Sequence, residues 1–194
     1  MARPRTFDEQ QVLTAVRDQF WDAGYADTSL EDLMRVTGLG KGSLYAAFGD
    51  KHRLFLRALR GYVDDSHGHL RQLLDSAPRA VDALRSFLMA PVSDPDGAAR
   101  GCLMANSTCE LASTDPDVLA EARRAYDTTT ALVAECVARA QREGDVAGDA
   151  DPVETARALL TAQQGIVYMG RAGTDVAALS ATARTLADRL LPRP

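Results

Sequence analysis

Lysine is almost missing from this chain of 194 residues, which has only Lys41 and Lys51. Cysteine is sparse too: Cys102, Cys109 and Cys136 are odd in number and widely spaced, which excludes a disulfide framework and any paired-cysteine metal motif. Aromatic residues make up 6% of the chain, so the core is expected to rest on Leu, Val and Ala. No apolar stretch approaches the roughly 20 residues that a membrane span needs. The opening MARPRTFDEQ leads into no apolar segment of the export type, so a cytoplasmic location without membrane partners is expected. A nucleophile elbow, a phosphate loop and an HExxH metal motif are all lacking. Neither catalysis nor a cofactor or metal is therefore expected. His67 and His69 do not alter this, because residues two apart on a helix point about 200° apart.

Much else is plentiful. Hydrophobic residues reach 46%, enough for a sizeable core, and abundant Ala and Leu with few β-branched runs argue for an all-α chain. The net charge of −5 looks wrong for a partner of nucleic acid, but it is unevenly spread. Residues 1–60 carry nine Lys/Arg against eight Asp/Glu, whereas residues 61–194 carry thirteen against nineteen. A basic stripe on an acidic body suits a protein that touches only a few phosphates. It disfavours a coating role on chromatin or RNA.

Both lysines lie in one stretch, Thr28 to Lys51, TSLEDLMRVTGLGKGSLYAAFGDK, and flank its second helix. Leu30, Leu33 and Met34, then Leu44 and Phe48, recur at helical spacing and mark two short amphipathic helices. Thr28 with Glu31 reads as a capping box for the first, and Gly38 suits a left-handed turn after it. The second starts near Gly40 and stops at Gly49-Asp50. Two such helices about a tight glycine turn form a helix-turn-helix, whose second helix enters the DNA major groove. A merely packed αα-hairpin is the alternative. Against it, Leu44 and Phe48 take the apolar face, leaving Lys41, Gly42, Ser43, Tyr45, Ala46 and Ala47 outward. Such a small, hydrogen-bonding surface lets a helix come close to phosphates and base edges. Lys41 is the expected base reader, and Tyr45 and Lys51 the expected phosphate contacts. Thr28 and Ser29, at the start of the pair, join the DNA-binding set. So do Arg3 and Arg5, in an N-terminal arm whose arginines would meet DNA on binding.

The segment TSLEDLMRVTGLGKGSLYAAFGDKHRLF resembles the DNA-binding signature of the TetR family of one-component transcriptional regulators. The resemblance covers the N-terminal quarter of the chain and departs from the family at Ala46 and Ala47, where larger side chains are common. It implies an all-α homodimer with a variable C-terminal domain, where a small molecule binds and lowers affinity for a double-stranded, palindromic operator. A repressor is the implied role.

About nine helices are expected, in a three-helix DNA-binding domain over residues 1–50 and a ligand-binding and dimerisation domain over 51–194. A first helix starts from Thr6, capped with Glu9, and carries Trp21 as a core residue. Asp50 caps a long fourth helix that reads as a lever into the body. Pro78 suits the first turn of a fifth, and residues 91–100 read as a loop. The sixth is GCLMANSTCELAS, the seventh opens at Asp115-Pro116, and Asp151-Pro152 starts the eighth. A ninth runs from Thr174 to Leu191.

On the sixth helix Cys102, Ala105, Asn106 and Cys109 share one face, with Met104 and Leu111 opposite. Close packing of small residues is one reading. The sharper one is the wall of a ligand pocket, with Tyr62, Tyr126 and Gln163 as further candidates. GCLMANSTCEL also resembles the same helix in a TetR subgroup with members that sense electrophiles or oxidants through a cysteine. Cys102 and Cys109 lie roughly 10.5 Å apart along an intact helix, beyond the roughly 7 Å that a disulfide tolerates. A thiol switch therefore needs Cys136, a second subunit or an adduct. Ile166, Val167, Val176, Leu179, Ala183 and Leu186 form apolar stripes on the last two helices that suit a four-helix dimer interface. The other classes that remain are a helical enzyme using Glu110 with a histidine, and an adaptor with a vestigial helix-turn-helix.

Overall fold

The computed structural model describes residues 7–94 and 99–192. Among these residues it is all helical. Nine helices follow in order: α1 (Glu9–Ala23), α2 (Leu30–Thr37), α3 (Lys41–Phe48), α4 (Lys51–Ser76), α5 (Ala80–Ser93), α6 (Leu103–Leu111), α7 (Pro116–Arg142), α8 (Pro152–Arg171) and α9 (Val176–Leu190). None of them is long and apolar enough to cross a membrane.

By contacts the chain forms two compact units. One gathers the residues up to Asp64 with Leu103–Ala122, and the other holds Asp65–Cys102 with the residues from Arg123 onward. Helices α4 and α7 each contribute to both, and α6 belongs with the helix-turn-helix. Two helices and the chain joint at Cys102–Leu103 thus connect the units. In the first unit Val12, Val16 and Phe20 of α1, Leu33 of α2, and Leu44 and Phe48 of α3 are buried with Leu54, Phe55 and Leu59 of α4. The rings of Phe20, Tyr25 and Phe55 cluster at centroid distances of 4.9 to 5.9 Å. In the second unit Leu84, Leu88, Val133, Val137, Leu159 and Leu191 anchor one apolar cluster. Val92, Ile166, Leu179 and Ala183 form another, joining α5, α8 and α9.

Helix starts are where the local chemistry departs from the sequence reading. Helix α1 is capped by Asp8, whose carboxylate accepts from Gln10 and Gln11 N–H, and Thr6 lies outside the described residues. Helix α2 is capped by Ser29 in a box with Asp32, one residue later than Thr28 with Glu31. Thr28 is instead fully buried, and its hydroxyl donates to Gly24 O at 2.7 Å. Helix α5 starts after Pro78, with Arg79 as N-cap, and continues through Pro91 to Ser93. Gly101, at φ 75°, cannot continue a right-handed helix, so α6 starts at Leu103 and leaves Cys102 outside it. Asp175 caps α9, which begins at Val176 rather than Thr174. The starts at Gly40, Asp115 and Asp151 are as expected.

Candidate nucleic-acid interface and effector region

Helix α3 is held by two side chains. Leu44 is 1% exposed and Phe48 7%, while Lys41, Gly42, Ser43, Tyr45 and Ala46 all face solvent. Gly38, at φ 67°, makes the left-handed turn between α2 and α3, and the Thr37 hydroxyl accepts from Leu39 N–H just beyond it. No side chain caps the N-terminus of α3, which leaves its first N–H groups for an outside partner. The Lys41 ammonium stands 5.7 Å from the Tyr45 ring centroid. The Lys51 ammonium lies 4.4 Å from the ring of Tyr25, so a cation–π contact holds this half-buried side chain in place. Burial first, and then the charges of Asp115, Asp50 and Glu110, push the Tyr25 phenol above its ordinary range. Tyr25 thus stays neutral as a platform for Lys51.

Three carboxylates from the segment of α6 and early α7 reach back to the elements around this head. Glu110 accepts from Tyr25 N–H at 3.0 Å and Ala26 N–H at 2.7 Å. Asp115 pairs with His52 at 2.8 Å, and Glu121, 8% exposed, pairs with Arg60 at 2.6 Å. Burial pushes the Asp115 carboxyl up, but the Val118 N–H and His52 outweigh it and leave the group below its ordinary value. Donor atoms of His52, Asp115 and Asp117 lie within 4.8 Å of one another, yet Asp115 is already committed to capping α7 and to His52. Glu110 is equally engaged: each of its oxygens accepts one of these backbone N–H groups.

Residues 12–58 match the model of bacterial regulatory proteins of the tetR family, and residues 78–186 match the tetracyclin repressor-like C-terminal domain. The chain belongs to the TetR family. It is 27% identical over 186 residues to the HTH-type transcriptional repressor ComR of Escherichia coli (strain K12), covering 94% of this chain and 89% of that one. It is also 27% identical over 180 residues to the uncharacterized HTH-type transcriptional regulator YezE of Bacillus subtilis (strain 168), covering 91% and 92%. Among solved structures, a cysteine mutant of the TetR family transcriptional regulator CifR, complexed with 26-bp double-strand operator DNA, matches with a TM-score of 0.82. The two are 29% identical, with 98% of this chain and 100% of that one covered. The matched family is one of transcriptional regulators.

In this TetR-family chain the remaining sequence-derived sites fare unequally. Arg3 and Arg5 lie outside the described residues. Thr28 cannot face a duplex from its buried position. The six effector candidates divide between the compact units, with Tyr62, Asn106 and Cys109 in one and Cys102, Tyr126 and Gln163 in the other. On α6 the buried face is Leu103, Met104 and Ser107, while Ala105 and Asn106 are half-buried and Cys109 is exposed. Tyr62 packs edge-on against Trp21 at 4.9 Å, and Tyr126 packs against the larger apolar cluster. His67 is a core residue whose Nε2 lies 3.1 Å from Ala125 O, and His69 is exposed.

A cleft of about 310 Å³ opens in the second unit between the last turns of α4 and α7, and none of the six candidates lines it. Leu74, Leu132 and Cys136 lie in it with Arg71, Arg139 and Arg142. Asp75 and Glu135 also line it, and Arg139 donates to Leu74 O at 2.8 Å near the carbonyl end of α4. Burial foremost pushes the Cys136 thiol up, which disfavours the thiolate.

Of the dimer candidates, Ile166, Leu179 and Ala183 are buried within the protomer, and Val176 and Leu186 pack against the same cluster. Val167 is half-buried. The outward faces of α8 and α9 carry other residues: Tyr168 is 68% exposed and Met169 46%, with Ala177, Ala178, Ala181 and Thr182 exposed on α9.

Proposed function

We propose that this protein is a DNA-binding transcriptional repressor whose α3 enters the major groove of a palindromic operator. The observation that carries the reading is the face of Lys41, Gly42, Ser43, Tyr45 and Ala46, exposed on a helix anchored by Leu44 and Phe48 alone. Lys41 reads a guanine through O6 and N7. Tyr45, Lys51 and the free N–H groups of α3 contact phosphates, and Ser29 stands exposed at the start of α2. Arg3 and Arg5 add further contacts with DNA. Ala46 offers little reach, so part of the specificity comes from DNA shape. That ComR is a repressor and that CifR is complexed with operator DNA support the reading.

The working form is a homodimer joined through α8 and α9, and its operator offers two major-groove half-sites one helical turn apart, about 34–36 Å. Because Ile166, Leu179 and Ala183 are occupied inside the protomer, the contact uses the outward faces around Tyr168 and Ala181. An effector, a small molecule or a thiol-reactive compound, releases the operator. Cys109, exposed on α6, favours the thiol reading. The match to a family of regulatory proteins speaks against an enzyme.

The test is a gel shift with a fragment spanning the gene's own promoter, followed by the mass of the complex. Two protomers bound to one near-palindromic site are expected. A single protomer bound with full affinity, or no shift at all, sinks the proposal. Cys102→Ser and Cys109→Ser proteins should bind alike but respond less to an alkylating agent if the effector acts on a thiol.

A further inference from the structure

Helix α1 ends at Gly24, at φ 84° and ψ 172°, a backbone conformation confined in practice to glycine. The chain turns there, and the next two N–H groups are those of Tyr25 and Ala26. No neighbour in sequence accepts from them. Glu110, more than eighty residues on, accepts both, one with each carboxylate oxygen, at 3.0 and 2.7 Å. Such charge-assisted bonds are short and directional. The site is built to admit them, since a Cβ at position 24 would come within 3.1 Å of the Glu110 carboxylate.

The turn so held leads straight into the helix-turn-helix. Thr28, wholly buried, donates back to Gly24 O, and Ser29 then caps α2. The chain of contacts runs from α6 through Glu110 to residues 24–26, then Thr28 and Ser29, then α2 and the Gly38 turn into α3. Every link is a hydrogen bond or a covalent step. A hydrogen bond is lost beyond about 3.5 Å, so a shift of α6 by about 1 Å opens the Glu110 pair.

We propose that Glu110 is a positioning residue, a clasp through which α6 sets the orientation of α2 and α3. The proposal rests on the DNA-binding reading above. Opening the clasp frees two N–H groups, loosens the start of α2 and lowers affinity for the specific site, while contacts with phosphates in general persist.

The test compares full-length wild type with Glu110→Gln and Glu110→Ala. Glutamine keeps one acceptor oxygen but turns an NH₂ group towards the second N–H. The probes are a duplex selected from a random library by the wild-type protein and an unselected duplex of the same length. Affinity for the selected duplex should fall in the order wild type, Gln, Ala. The total loss should lie within the roughly 5–150-fold typical of coupled sites, with affinity for the unselected duplex unchanged. Amide exchange should quicken at Tyr25 and Ala26 and stay slow at Leu33 and Leu44. Wild-type affinity in Glu110→Ala, or an equal loss on both duplexes, overturns the clasp. If wild type selects no duplex, the DNA-binding reading fails, and unchanged exchange at Tyr25 and Ala26 would then reject the clasp separately.

Discussion

Helices α3 and α9 both invite a reading as working surfaces, and the fold treats them in opposite ways. Helix α3 gives up only Leu44 and Phe48 fully to the interior, with Ala47 half-buried, and leaves Lys41, Gly42, Ser43, Tyr45 and Ala46 to solvent. Helix α9 turns Leu179 and Ala183 into a cluster with Val92 and Ile166, with Val176 and Leu186 packed on it. Its apolar stripe is the protomer's own core. An apolar period reports that a face is buried and is silent about what buries it. An outward face of small polar residues is more telling, because nothing inside the protomer claims it.

Leu179→Ala tests the contrast most severely. Removing a buried leucine side chain should destabilise the protein by about 2–5 kcal/mol. Tyr45→Ala, on the exposed face of α3, should change stability by no more than about 0.5 kcal/mol. Denaturant midpoints at several protein concentrations make the comparison, and the Leu179 effect should persist at all of them. If Leu179→Ala unfolds like wild type and instead shifts the monomer–dimer balance, α9 has been read wrongly.

Tyr168→Asp addresses the outward side of the same helix pair. A large aromatic at the centre of an interface typically contributes 2 kcal/mol or more, about 30-fold in dissociation constant. Sedimentation velocity over a dilution series should show the variant dissociating at correspondingly higher concentration, with its helix content intact. Unaltered association would move the interface elsewhere.

What could be read from the sequence follows the same division. The helix-turn-helix was legible because its signals are local: apolar spacing, Gly38 and Gly49, and an N-terminal cap. The caps of α1 and α2 were misplaced by one or two residues, because several Thr, Ser and Asp residues stand near each start. At α2, burial of Thr28 decided between them, and burial is a tertiary property. Glu110 illustrates the limit. Its partners are backbone N–H groups more than eighty residues away, which no spacing rule reveals, and in sequence it looked like a spare acid. The division of the effector candidates between two compact units was equally invisible, because it depends on α6 packing with the head.

The two lysines, at the starts of α3 and α4, should separate by role. Lys51→Ala should weaken binding to every duplex alike and flatten the salt dependence by about one unit of slope. Lys41→Ala should relax preference at one guanine, by about 1–3 kcal/mol. Binding to a panel of single-base operator variants at several salt concentrations distinguishes them. If Lys51→Ala changes base preference at constant slope, the assignments are reversed.

The smallest expected effect concerns the cap that places α2, and through it α3. The Ser29 hydroxyl donates to the Asp32 carboxylate at 2.6 Å, Ser29 N–H donates to it at 3.0 Å, and Arg35 adds an ion pair at 2.9 Å. The Ser29 hydroxyl first, and Arg35 next, lower the Asp32 pKa from 3.8 to about 2. A carboxylate depressed in this way stabilises the fold fully above its unfolded pKa of 3.8, and the contribution is lost as the pH falls through about 2. At neutral pH the box is therefore intact, and only strong acid opens it. Carboxyl NMR should show Asp32 titrating near 2 in wild type and moving towards 3.8 in Ser29→Ala. That variant also loses an N-cap, which costs about 0.5–2 kcal/mol. If wild-type Asp32 titrates near 3.8, the box does not hold in solution, and the start of α2 rests on Thr28 and the Glu110-held turn instead.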